Sequence, residues 1–268
     1  MADRPPLWPV FGAYIGAIAI ATALFALADG VVRSLDPDLS ERAMLDSLPG
    51  LLAGVVASSF GLLLTTLIAS RGAPLAALRL IPGKESGLTL LVMVVGMLAL
   101  AQMLDSLTML VGLGQQSTMV AIRRALAQAA GPELFLAVIV IGVLAGIAEE
   151  VFFRAYMQTR LGERLSPAAA VLVASTCFGA LHIDWLHREW LHAVLAFALG
   201  LYLGWITELT GSALPAAACH VINNALFTIL TALWGSLEGV GLNAGLATAC
   251  ALAFTGCVVW LRRVRPTL

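Results

Sequence analysis

Two adjacent glutamates inside an apolar run are the first residues in this chain whose type and place suggest chemistry: Ala148-Glu149-Glu150-Val151-Phe152-Phe153-Arg154. A carboxylate in hydrocarbon costs at least ~2.5–3.5 kcal/mol on insertion scales, so ionisable groups within a membrane are functional candidates by default. On a helix, Glu150 and Arg154 are i,i+4 neighbours and can form an ion pair on one face. Glu149 points about 100° away and has no partner in its own helix. An unpaired carboxylate of this kind can take a proton from water and so act as a general base.

Downstream, Phe178 and His182 lie one turn apart, and Cys219-His220-Val221-Ile222-Asn223-Asn224 places His220 and Asn224 on a shared helix face. The midpoint between Glu149 and His182 falls at residues 165–166, inside the polar segment Gly162 to Pro167. In an antiparallel hairpin the two residues therefore sit at the same depth, each roughly 24 Å of helix from the turn. They can face each other, with Phe178 walling the site. His220 and Asn224 lie nine and thirteen residues beyond Gly211, roughly 13–20 Å from that same side. Three helices thus bring Glu, His, His and Asn to comparable depth. The plainer alternative is that each polar group only joins helices by interhelical hydrogen bonds.

The elements that must position these groups are apolar helices. The 268 residues are 60% hydrophobic and 12% charged, with a mean hydropathy of +0.95, about half the charge of a water-soluble domain. A bilayer needs roughly 20 apolar residues per helix. Such windows occur at 10–28, 47–69, 87–110, 132–158, 167–183, 191–207, 213–234 and 241–261. The expected fold is all-α: a polytopic membrane protein of about eight transmembrane helices, one domain over 1–268, with a polar catalytic cavity within the bilayer. Ala26-Leu27-Ala28 resembles a signal-peptidase site, but the apolar run is longer than a signal's, and the first span is expected to be retained.

Eight spans put both termini on one side, with ten of the fifteen basic residues: Arg4, Arg71, Arg79, Lys84, Arg154, Arg160, Arg164, Arg262, Arg263 and Arg265. The positive-inside rule then makes both termini cytoplasmic. Lys84 is the single lysine, a bias that points to a bacterial or archaeal cell membrane. Net charge of −1 gives no case for nucleic acid. Cys177, Cys219, Cys250 and Cys257 lie in apolar runs without CxxC spacing and read as packing residues. Gly12/Gly16, Gly142/Gly146 and Gly200/Gly204 allow close helix approach. Gln102, Asp105, Asp184 and Glu208 read as interfacial groups without a role, and His187 and His192 as solvated loop histidines.

Glu149-Glu150-x-x-x-Arg154, Phe178-x-x-x-His182 and His220-x-x-x-Asn224 resemble the three signatures of the CPBP intramembrane proteases, a family that includes the type II CAAX prenyl endopeptidases and abortive-infection proteins. The resemblance covers about 132–234. It implies cofactor- and metal-free hydrolysis of a peptide bond in a peptide or membrane-protein substrate within the lipid bilayer. Glu149 would be the general base, assisted by His182, with His220 and Asn224 as oxyanion donors. Glu150, Arg154 and Phe178 would support the site. Two readings stay open beside it: a zinc protease using Glu149, His182 and His220, and a non-catalytic peptide-binding protein of immunity type. A proton relay or transporter would also use such residues, but no inverted repeat is visible.

Overall fold

A computed structural model describes residues 6–35, 44, 47–115, 117–127, 129–184 and 188–264. Nine helices are described: α1 Trp8–Leu35, α2 Leu48–Ser70, α3 Gly87–Leu110, α4 Ser117–Ala127, α5 Gly131–Gly162, α6 Pro167–Leu181, α7 Leu191–Thr210, α8 Leu214–Trp234 and α9 Val240–Val264. The chain is an all-α polytopic membrane protein. Seven of these helices are long and apolar enough to cross a membrane, one fewer than the eight spans expected from sequence. The eighth, α6, has 15 residues, roughly 22 Å at 1.5 Å per residue, so it ends short of the far side of a 30 Å core.

Local chemistry sets the boundaries. Ser47, Ser86 and Ser166 cap α2, α3 and α6, each hydroxyl accepting a hydrogen bond from the backbone N–H three residues on. Gly211, at φ 70°, closes α7 in the left-handed region. Pro167 and Pro215 stand in the first turns of α6 and α8, where a missing N–H costs nothing. The amphipathic α4 was not expected from sequence; its Arg123 pairs with Asp105 of α3 at 2.5 Å, so Asp105 is more than an interfacial group.

Four helix pairs pack extensively, α1 with α2, α3 with α9, α5 with α8, and α6 with α7, and α8 also packs against α3. Gly61 brings α2 onto α1, where an added Cβ would lie 2.6 Å from the Ala17 carbonyl oxygen. Gly142 and Gly146 perform the approach expected of them: a Cβ added to either would stand 3.1 Å from α8 backbone, at Ala225 and Val221. Gly12 and Gly16 do not: a Cβ added to Gly12 would meet nothing within 4 Å, and one on Gly16 only a Thr65 methyl at 4.0 Å.

The start of α1 packs with Leu161 and Ala170 at one end of the molecule. Leu261 of α9 joins Leu209 and Leu90 at that same end. The segment between α2 and α3 closes there too, since the Ala213 N–H donates to the Arg79 carbonyl and the Ser212 hydroxyl to that of Ile81. The start of α1 and the end of α9 therefore share a face with the α5–α6 turn. Cys at the exposed position Ser166, in a background lacking native cysteines, should label with an impermeant thiol reagent from the cytoplasmic side only. Arg188→Cys should label from outside, and labelling of both from one side would contradict this topology.

Candidate active site

The glutamates sit in an unusual stretch of α5. Val138–Ala145 and Val151–Gln158 are wound as π-helix, with ordinary α-helix at Gly146–Glu150 between them. Such wide i→i+5 turns are rare and often mark functional sites. They also have a steric effect. Over four residues an α-helix over-rotates by about 40°, and a wider turn takes that drift back. Glu150, Arg154 and Gln158, four residues apart in turn, are all fully buried.

Glu150 is the hub. One oxygen lies 3.1 Å from Arg154 Nε, the ion pair expected from the i,i+4 spacing, and the other lies 2.8 Å from His220 Nδ1 on α8. A carboxylate paired with arginine only accepts, so His220 Nδ1 carries the hydrogen in this contact. His220 Nε2 then turns toward Glu149, 3.7 Å from Oε2, beyond a direct hydrogen bond and a spacing that one water can bridge. The imidazole that reaches Glu149 is thus His220, where the depth count from sequence had matched Glu149 with His182.

His182 terminates α6. Its own N–H bonds the Gly179 carbonyl, tightening the last turn, and its ring Nδ1 takes the Phe178 carbonyl that this leaves over, at 2.8 Å. A carbonyl cannot donate, so Nδ1 is protonated and Nε2 of the neutral ring is free to accept. Phe178 lies between the two imidazoles, its ring edge-on to His182 at 4.8 Å and to His220 at 5.8 Å. The Arg154 guanidinium packs over the same ring at 4.6 Å, a cation–π contact in a site shielded from water.

Asn224 lies one turn beyond His220. Its amide donates to the Ile141 carbonyl over a long 3.4 Å, and its oxygen accepts from Asn223 at 3.3 Å. A weakly held amide of this kind can be redirected to a substrate oxygen.

Three features lay outside the sequence reading. His192 is half-buried in the first turn of α7 and packs edge-on against His182 at 4.8 Å, so it is not a solvated loop histidine. The antiparallel bridge between Asp184 and Glu189 explains this, because it draws the two ends of the connecting loop together. His187 lies outside the described residues. Glu208 is not a bare interfacial group: it accepts from Arg79 at 2.6 Å and from Gln158 at 2.8 Å. Gln158 had the one available signal, standing four residues after Arg154 and eight after Glu150.

Among the described residues no three His, Cys, Asp or Glu side chains group as metal ligands. Glu149, His182 and His220 do not form such a group, although the Nδ1 hydrogen bonds of both histidines leave each Nε2 to the site.

Residues 131–226 match the family model described as type II CAAX prenyl endopeptidase Rce1-like. The resemblance read from the three motifs is borne out over that segment. A protein of Bacillus subtilis (strain 168), named "Uncharacterized protein YpbD", is 32% identical over 90 residues, which cover 34% of this chain and 43% of that protein. The chain thus matches less than half the length of this relative. No solved structure matches the chain.

Proposed function

We propose that this protein is an intramembrane endopeptidase of the cell membrane that hydrolyses a peptide bond with a water activated by Glu149. The observation that carries the reading is the buried Glu150 bound on one side by Arg154 and on the other by His220. It leaves Glu149 as the carboxylate without an ion-pair partner in its helix, facing the far nitrogen of the same histidine. The match to a peptidase family over this segment supports the reaction class.

In the proposed reaction Glu149 removes a proton from water while the water oxygen bonds to the scissile carbonyl carbon. His182 Nε2, free to accept, orients the water through its second hydrogen. The electron pair displaced onto the carbonyl oxygen is met by donors from His220 Nε2 and Asn224 Nδ2. Donation from both His220 nitrogens requires the imidazolium, with the Glu150 carboxylate opposite Nδ1. Glu149 then returns its proton to the departing amide nitrogen as the C–N bond breaks, giving an acid and an amine. Each oxyanion donor of this kind is typically worth ~2.7–4 kcal/mol.

The substrate is a peptide or membrane protein. Mass spectrometry of membrane peptides should show species that accumulate when wild type is replaced by Glu149→Gln, with their cleaved halves lost. Identical peptide sets in the two strains would contradict the assignment.

A further inference from the structure

A second polar structure runs away from the site toward the face shared by the start of α1 and the end of α9. Arg154 Nη2 donates to the Gly200 carbonyl at 3.2 Å, and one turn on Gln158 Nε2 donates to the Gly204 carbonyl at 3.0 Å. Two side chains of α5 four residues apart are thus matched to two glycine carbonyls of α7 four residues apart. The glycines leave room at both rungs: a Cβ on Gly200 would stand 3.3 Å from Arg154 Nη2, and one on Gly204 would stand 2.9 Å from Gln158 Oε1. The second Gln158 N–H reaches Glu208, which Arg79 anchors.

Direct contacts join this run except between Arg154 and Gln158, where Arg154 Nη1, Gln158 Oε1 and Ser175 Oγ have no hydrogen-bond partner among the described residues; Arg154 Nε and Glu150 Oε2 also lack one and meet as the ion pair at 3.1 Å. Ser175 is beside them, its Cβ lying 3.3 Å from the same point above Gly200 as Arg154 Nη2. One donor, one acceptor and one hydroxyl are the partners a single buried water uses. Leaving such groups unpaired in a low-dielectric interior is costly.

We infer that Gln158 is a positioning residue, coupled to Arg154 through a buried water also held by Ser175, so that the Arg79–Glu208 pair fixes Arg154, Glu150 and, through Glu150, the orientation of His220. The inference rests on the proposed reaction only for its catalytic consequence. The geometry is testable without turnover.

Purified full-length protein labelled with 15N-histidine contains four histidines, and the His220 signal is the one lost in His220→Gln. In Gln158→Met, which keeps chain length and removes the amide, the His220 Nδ1–H resonance should shift or broaden while that of His182 stays in place. Glu208→Gln should move the same resonance, and Ser175→Ala should move it less. On a cleavable substrate Gln158→Met should lower kcat roughly 10–100-fold, the scale of a small misplacement of catalytic groups, with KM unchanged. An unmoved His220 resonance in folded Gln158→Met, or in Glu208→Gln if the first does not fold, overturns the inference and leaves Gln158 as a helix-joining residue. A moved resonance in a protein that cleaves nothing upholds the positioning role and counts against the peptidase reading alone.

Discussion

Glu149→Gln should abolish hydrolysis and leave the protein folded. A positioned general base contributes typically 10²–10⁴-fold, and the substitution removes the proton acceptor while keeping size and polarity. Its structural cost should be small, because Glu149 meets His220 Nε2 at 3.7 Å, outside direct hydrogen-bond range. Turnover of a membrane-peptide reporter, read beside thermal unfolding in detergent, checks both halves. Loss of activity together with a large drop in Tm would mean that Glu149 holds the fold together.

Glu150→Gln should behave differently, with the largest stability effect in the molecule. Glu150 is fully buried between Arg154 and His220, so removing its charge strands the buried guanidinium. Breaking a buried pair in this way typically costs about 3–5 kcal/mol. An ordinary interhelical hydrogen bond in a membrane averages about 0.6 kcal/mol, so the size of the effect separates a structural hub from simple helix adhesion. Replacing both partners, as in Glu150→Gln with Arg154→Met, should recover much of the stability, since no uncompensated charge remains. Activity should not return, because His220 still lacks the carboxylate that orients it. Equal Tm values for Glu149→Gln and Glu150→Gln, with activity lost only in the latter, would reverse the two roles.

Depth was readable from the sequence, and rotation about the helix axes was not. Counting from the turn at Gly162 to Pro167 correctly brought α5 and α6 together as an antiparallel hairpin, and α3 was bounded at Gly87 and Leu110, as found. Which imidazole meets which carboxylate depends on azimuth. The π-helical turns of α5 alter that azimuth without a recognisable sequence signature. The tightened end of α6 directs the His182 ring to the Phe178 carbonyl. Ion pairs within one helix follow from spacing alone, and Glu150 with Arg154 was legible for that reason.

Polar residues near helix ends misled for a different cause. Glu208 and His192 look solvated when a helix is read alone, and they gain partners only when α5 and α6 pack onto α7. α6 was counted as a full span on the apolar window 167–183, whereas its 15-residue helix stops at Leu181, where His182 caps it. The amphipathic α4 has too few apolar residues in sequence to register as a span, and its place depends on contacts with α2 and α8.

The central claim is that the water is activated by Glu149 rather than by a metal. The measurement that tests it most directly is cleavage of a transmembrane peptide by purified, reconstituted protein, with and without o-phenanthroline at a concentration that strips a control zinc protease. Products would be identified by mass spectrometry and metal content measured on the same samples. Wild type should cleave equally in both conditions without stoichiometric metal, and Glu149→Gln should not cleave in either. Stoichiometric zinc in active wild-type protein, lost with activity on chelation and regained with it on adding metal back, would contradict the account, as would cleavage by Glu149→Gln.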